Sequence, residues 1–438
     1  MRKEDNDLYC NVEPGWPLHE MATRYWLPFL RCEALQSDGA PVKVELLGEH
    51  YVAFRAGNGR VGLLDEQCSH RGISLSLARN EGNALTCIFH GWTYDASGAC
   101  IRTPTEADAN FPQRVKVRAF PVREAGGACW VYLGPGDPPR FPDFDFNYVA
   151  DNHRRARVGY TESNWTQNFE ILLDSSHIAV LHRNLVTSGV NLSLGAAVGI
   201  DAPKLEVHNT PYGFQAFSRR DRPDGSTYLR VTEYVAPFTC LIGSSTEEES
   251  KVLMYVPINN RRSAFWFFYW DTRHDQQWWR EQYTKMGVVD RFFGNDDDLL
   301  GWQVHRDKPA FGQNRAAMKT QSWSGLNSLQ AEDCVVAESM PMIDRTKEQL
   351  GKSDLVIAAM RRELLSHLKT FQETGRAYGL GPEGNGNGIT YRSLRATSEV
   401  VPSTTDMFDY HNRMLREART AEQQSRDARV AAKSPVEV

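Results

Sequence analysis

No apolar run in the chain approaches the roughly 20 residues that span a membrane. The opening MRKEDNDLYC carries no apolar stretch of the kind a secretory signal needs. These two absences lead us to expect a soluble cytoplasmic protein with no membrane partner. Basic residues are not in excess: 50 Lys and Arg face 55 Asp and Glu, for a net charge of −5. That balance argues against a nucleic-acid partner, which normally requires a basic face. No internal repeat is visible. Cysteine is sparse, eight in 438 residues. In a long chain without a signal peptide, such usage excludes a disulfide framework as the organising device. Cys10, Cys32, Cys100, Cys129, Cys240 and Cys334 read as buried structural thiols. Cys68 and Cys87 sit beside histidines and need another explanation.

At 438 residues the chain exceeds what one hydrophobic core usually serves, so two domains are expected. From about Arg24 to Pro139 the pattern is all-β. VKVELLG, YVAFRAG and VGLLDE alternate between apolar and polar residues and are separated by Gly, Asp and Asn turns. VKVRAFPVRE and CWVYLGPG read as the last strands of this unit, and GPGDPPRFPDF as a linker. Asn164 to Leu185 reads as an amphipathic helix. FQAFSRR, YLRVTEYVAPFTCLIG, KVLMYVPI and SAFWFFYWD then suggest an antiparallel sheet. The polar stretch from Gly294 to Ser328 reads as loops bordering a pocket, and RAYGLGPEGNGNG as a flexible loop. DLVIAAMRRELLSHLKTF reads as a helix, with Ser353 as its N-cap and Gly375 just past its end. Beyond Leu415 the sequence is polar and charged and reads as either a solvated helix or a disordered tail. The expected division is 1–23, an N-terminal segment; 24–145, the β unit; 146–400, a second domain; and 401–438, a polar tail.

Two short motifs carry chemistry. EQCSHRGISLSLARNEGNALTCIFHGW sets Cys68 with His70, and Cys87 with His90, on two loops of the β unit. A structural zinc site would have the same composition, but zinc fingers usually group two cysteines first and two histidines later. Mixed pairs, each with the histidine after its cysteine, fit a Rieske 2Fe–2S centre, in which two Cys hold one iron and two His the other. Gly72 and Gly91 follow the histidines, where close backbone approach to a cluster requires a missing Cβ. Trp92 and Tyr94 are placed to shield it. The run from Cys68 through HGWTYDASG resembles the Rieske domain of ring-hydroxylating oxygenases.

In NWTQNFEILLDSSHIAVLHRN, Glu170, Asp174 and His177 are spaced by four and three, one face of a helix. His182 lies five residues beyond His177, about 140° off that face on a regular helix. Both histidines reach one metal only if the helix bulges by a residue or ends there. A 2-His-1-carboxylate site needs an acid as well, and Glu332, Asp333, Glu338 and Asp344 are candidates, Asp344 reading better as a helix cap or ion-pair partner.

The whole stretch from RYWLP to about Leu365 resembles the oxygenase (alpha) subunit of Rieske non-haem iron ring-hydroxylating oxygenases. QAEDCVVAESMPMID resembles the C-terminal signature of the phthalate-dioxygenase-like branch. The resemblance implies an α+β chain, an all-β Rieske domain followed by a helix-grip catalytic domain. It implies a 2Fe–2S cluster on Cys68, His70, Cys87 and His90. It also implies mononuclear Fe(II) on His177, His182 and Asp333, with Glu332 the alternative carboxylate. Asp174 would link the two centres across the interface of a head-to-tail homotrimer, and Glu170 is placed beside it as a catalytic acid. A separate flavin/iron–sulfur reductase would supply electrons, and the substrates would be O2 and a small aromatic acid. Arg219, Arg220 and Arg230 lie in the right segment to meet a carboxylate, although each reads better as a solvated strand residue. Competing readings are O-demethylation of a methoxylated aryl acid, a Rieske electron carrier, and a zinc-stabilised binding protein.

Overall fold

The computed structural model describes residues 1–185, 195–200, 202–243, 249–285, 302–304, 306–326, 328–340, 344–380, 391–392 and 394–433. Most of the stretch from Gly294 to Ser328 is included, but 294–301, 305 and 327 lie outside the described residues, as does most of the glycine-rich loop after Leu380.

The N-terminal unit is built from ten short strands in three small sheets. β1 (Trp26–Arg31), β10 (Ala128–Tyr132) and β9 (Val122–Ala125) form one; β2 (Val42–Leu46), β3 (Glu49–Arg55) and β4 (Val61–Asp65) form the second. The third runs in sequence order through β5 (Arg79–Glu81), β6 (Ala84–Thr86), β7 (Thr93–Asp95) and β8 (Cys100–Arg102). Cys68 precedes this last sheet and Cys87 follows β6, so the two cysteine loops flank it. A small core of Val52, Phe54, Leu64, Leu75, Leu85, Tyr94 and Val117 packs beneath both loops and includes Cys68 and Cys87.

Among the described residues the second unit holds a nine-stranded sheet. Its order is β12 (Lys204–Thr210), β13 (Gly213–Asp221), β14 (Ser226–Val235), β15 (Thr239–Leu241), β16 (Ser250–Asn259), β17 (Arg262–Trp270), β11 (Arg154–Thr161) and β18 (Trp302–Gln303). β19 (Thr397–Pro402) pairs with β14. All pairings are antiparallel except β11 with β18. The helices Trp165–Leu173 and Leu355–Thr374 pack into one large core with this sheet. That core continues into the N-terminal unit: Trp130 of β10 stacks on Phe268 of β17 at 5.2 Å, and Phe146 on Phe268 at 4.5 Å.

Two features extend the sequence reading and one departs from it. The N-terminal segment folds into helices Lys3–Cys10 and Pro17–Ala22, which bury Tyr9, Leu18 and Met21 in the large core. The polar tail is a helix, Met407–Lys433, whose first turns bury His411 against the sheet, where it bonds Glu233 at 2.7 Å and Thr397 at 2.8 Å. Asp354 rather than Ser353 precedes the helix Leu355–Thr374, which ends at the left-handed Gly375.

Candidate metal centres

The two cysteine loops repeat one backbone pattern. In the first, Cys68 N–H donates to Ile73 O and Gly72 N–H to Cys68 O, both at 2.9 Å. In the second, Cys87 N–H donates to Trp92 O at 2.8 Å and Gly91 N–H to Cys87 O at 2.9 Å. Each loop closes only because the glycine takes a left-handed conformation, φ 74° at Gly72 and 71° at Gly91. At Gly91 a Cβ would also meet Pro104 Cγ at 2.7 Å.

This turn buries both thiols and leaves both imidazoles half-exposed. The His70 and His90 rings lie 4.6 Å apart, edge to face, and Trp92 stacks on His70 at 4.3 Å. Tyr94 Oη sits 3.2 Å from Cys68 Sγ. Burial pushes the Cys87 thiol up, while the N–H groups of Phe89 and His90 favour its thiolate. Two buried sulfurs with hydrogen-bond donors around them, and two imidazoles at the rim, are a donor set that fits a 2Fe–2S cluster with its histidine iron toward solvent. Ile88 and Phe89 are exposed beside His90, so the rim is apolar as well.

The second constellation forms where a helix stops. Asn164 caps the helix Trp165–Leu173 through a capping box with Gln167. The helix ends at Asp174, whose backbone is extended (φ −73°, ψ 111°), so Glu170, Asp174 and His177 do not share a helical face. Asp174 Oδ1 accepts from Ser176 N–H at 2.7 Å, a local turn that competes with helix continuation. A one-turn helix, Ile178–Leu181, then stands between His177 and His182. The five-residue spacing is therefore met by a helix end, with no π-bulge among the described residues. Asp333 comes from the helix Leu329–Ser339, which Ser328 caps.

His177 Nε2, His182 Nε2 and Asp333 Oδ1 converge. The two nitrogens are 3.1 Å apart, and Asp333 Oδ1 is 3.1 Å from His182 Nε2 and 3.6 Å from His177 Nε2. A metal with bonds of about 2.1 Å at right angles would hold three donors about 3.0 Å apart. The trio fits a facial site for one ion. Asp333 Oδ1 is also buried without a hydrogen-bond partner, which suits a metal ligand. Burial opposes charge on His182, but Asp333 and then Glu332 outweigh it and raise its pKa to about 9. Burial likewise opposes charge on Asp333, and His182 outweighs it, holding the carboxyl below its ordinary value.

The other acids are engaged elsewhere. Glu332 Oε2 lies 2.6 Å from His182 Nδ1, behind the ring. Glu338 pairs with Arg306 and accepts from Glu162 N–H, and Asp344 caps the turn Arg345–Lys347. Asp174 Oδ2 stands 3.5 Å from His177 Nδ1 and is partly exposed. Glu170 corrects the sequence expectation of a catalytic acid. Its carboxylate takes two bonds from Arg361, both 2.8 Å, one from Arg345 at 3.0 Å and one from Tyr9 Oη at 3.0 Å. Burial disfavours its charge, yet the two guanidiniums hold its pKa below the ordinary value. It is the centre of a structural ion cluster.

Two of the three arginines read as solvated are buried. Only Arg219 is at the surface, bonded to Asp221 at 2.6 Å. Arg220 reaches under the Asp174–His177 turn and donates to Ser175 Oγ at 3.2 Å and Ser218 Oγ at 2.9 Å. Arg230 is 5 % exposed and makes no ion pair among the described residues; its Nη1 is buried without a partner. Arg230 stands opposite Ser218 in the β13–β14 register, and opposed residues share a face. Ser218 Oγ bonds Ser175 Oγ at 2.8 Å, so this is the face on which the metal turn rests.

A family model described as "Rieske [2Fe-2S] domain" matches residues 25–121, and one described as "LigXa C-terminal domain like" matches residues 131–430. The chain is 34% identical over 435 residues to the phthalate 4,5-dioxygenase oxygenase subunit of Pseudomonas putida, covering 94% of this chain and 95% of that protein. It is 28% identical over 375 residues to the 5,5'-dehydrodivanillate O-demethylase oxygenase subunit of Sphingobium sp. (strain NBRC 103272 / SYK-6), covering 84% and 80% respectively. Dicamba monooxygenase bound to dicamba shares the fold at a TM-score of 0.58 and 18% identity, over 81% of this chain and 99% of that one.

Proposed function

Because this chain belongs to the Rieske non-haem iron oxygenases, as an alpha subunit of the phthalate-dioxygenase-like branch, we propose that it oxidises an aromatic carboxylate with O2, by ring dihydroxylation. The family carries a Rieske cluster and a mononuclear iron. In this reading Cys68 and Cys87 hold one cluster iron, His70 and His90 the other, and His177, His182 and Asp333 the mononuclear ion. When bound, the cluster supplies electrons singly and the ferrous ion supplies the place where O2 is reduced.

The chain's own residues do the rest. The apolar rim around His90 docks on the catalytic unit of a neighbouring copy in a homotrimer, where Asp174 accepts from His90 and from His177. A carboxylate between two imidazoles orients both rings. A separate flavin/iron–sulfur reductase delivers the electrons. Arg230 holds the substrate's carboxylate.

That last role rests on the observation that carries the substrate class: a buried guanidinium without an ion-pair partner among the described residues, on the face that supports the metal turn. A buried cation needs an anion, and a carboxylate matches the guanidinium fork. Arg230→Gln is expected to raise KM for aryl acids about 10- to 100-fold, from a charge-assisted bond of about 1.5–3 kcal/mol, and to leave cluster and iron content unchanged. Substrate-dependent O2 uptake across aryl acids and their neutral amides measures this. Equal turnover of acids and amides by the wild type would overturn it. The similarity to an O-demethylase supports a second reading, removal of a methyl group from a methoxylated aryl acid. A cis-diol product supports the first reading and formaldehyde the second.

A further inference from the structure

Glu332 and Asp333 are neighbours on one helix, so their side chains leave it about 100° apart. Asp333 turns to the convergence of the two Nε2 atoms. Glu332 reaches behind His182 instead, with Oε2 2.6 Å from Nδ1. Its other oxygen accepts from Ser324 Oγ, and Ser324 Oγ accepts in turn from Leu326 N–H at 3.1 Å. All three side chains are buried: Glu332 is 2 % exposed, His182 4 % and Ser324 7 %. His177 is held less closely: its Nδ1 lies 3.5 Å from Asp174 Oδ2 and has no hydrogen bond among the described residues. The two imidazoles are therefore held very differently.

We propose that Glu332, anchored by Ser324, is the positioning residue that fixes His182 as the tightly held imidazole of the iron site. A carboxylate accepting from Nδ1–H leaves the proton on that nitrogen, so the lone pair stays on Nε2, facing Asp333 and His177. The same bond sets the ring plane and makes the imidazole a stronger donor. His177, held loosely, keeps the freedom to adjust to a neighbouring copy through Asp174. Glu332 acts through His182 and does not touch the metal. This inference rests on the assignment of His182 as an iron ligand.

The test uses the full-length protein, loaded with Fe(II) anaerobically. Iron loss to a ferrous chelator is followed beside the visible absorbance of the Rieske cluster, which reports that the fold is intact. Loss of the supporting carboxylate usually costs 10- to 100-fold in metal affinity. Glu332→Ala is expected to release iron about that much faster, with the cluster spectrum unchanged. Glu332→Gln keeps an acceptor for Nδ1–H and should recover most of the retention. Ser324→Ala should give a smaller loss in the same direction. Wild-type retention in Glu332→Ala overturns the proposal. So does equal loss in the Gln and Ala variants, which would make Glu332 itself a ligand. His182→Ala separates the two levels: if it retains iron like the wild type, the iron assignment itself fails.

Discussion

Glu170 offers the sharpest separation between a structural and a catalytic acid. Glu170→Gln removes one charge from between two guanidiniums. Arg345 is buried at 1 % exposure and Arg361 at 6 %. Arg345 would keep Thr166 Oγ1 at 2.8 Å and Cys10 Sγ at 2.9 Å, and Arg361 would keep Glu348. Glu348 Oε1 stands 4.0 Å from Arg345 Nε without a hydrogen bond and is shared with Arg361, so a buried cation is left poorly paired. Breaking such a pair costs about 3–5 kcal/mol. At about 2–4 °C per kcal/mol for a unit of this size, the melting temperature should fall by roughly 6–20 °C. The loss belongs to the catalytic unit, so near-UV circular dichroism should show it while the Rieske absorbance persists. The pH dependence has a fixed sign. The folded pKa of Glu170 lies below its unfolded value. Its contribution is therefore complete above the unfolded carboxylate range and is lost as pH falls through the folded value. The wild type should lose stability on acidification below about pH 4.3, and Glu170→Gln should lose less over that interval. A variant that melts like the wild type but fails to turn over would refute this and return Glu170 to the active site.

Asp174→Asn should leave both metals bound, because its Oδ1 bond to Ser176 N–H survives in the amide. Reoxidation of the reduced cluster in a single turnover should slow strongly, and steady-state turnover near the wild-type rate would remove Asp174 from the electron path. Tyr94→Phe deletes the hydroxyl 3.2 Å from Cys68 Sγ. Donors to ligand sulfur favour the reduced cluster, so its potential should drop. The loss of one bond of about 1 kcal/mol corresponds to about 45 mV, readable by redox titration of the visible bands, and an unchanged potential would exclude the bond.

The strands with strong apolar runs were legible in sequence, among them SAFWFFYWD and KVLMYVPI. β11 was not, because three of the first four residues of RRARVGYT are arginines that carry no apolar signal. β12 was missed for a related reason: it is an edge strand whose polar residues stay partly exposed. The mixed Cys/His order needed no tertiary information, and the structure brings its four residues to adjoining loops. The helix read as continuous to Leu185 breaks at Asp174, and the signal was present in Asp-Ser-Ser, a run that favours local turns over helix. Reading through that break put Glu170 on the face of the metal ligands. Its true partners were beyond reach, since Tyr9 lies 161 positions earlier and Arg361 lies 191 later. The arginines were misread because alternation gives two faces to a strand and does not say which one is covered.

The helix Trp165–Leu173 explains why a structural ion cluster and a metal site belong to one segment. Its start is held by the Asn164 cap, whose Nδ2 also bonds Cys10 O at 3.0 Å and Asn260 O at 2.9 Å. Its middle is held by Asn168, bonded to Ser163 at 2.6 Å and Ser263 at 3.2 Å, and by Glu170 on two arginines. A helix fixed this firmly ends at a defined point, so the turn that follows begins at a defined point. Ser175, held by Arg220 and Ser218, fixes where that turn goes. From there, the two histidines that flank one short helical turn and Asp333 from the helix Leu329–Ser339 can meet without further adjustment. The polar groups around the ligands thus set position, and the ligands are left with unpaired atoms directed at one another. An arrangement of unpaired donors is stable only if something outside them supplies the cost of holding them there. Here the Glu170 cluster and the asparagine bonds do so from one helical turn away.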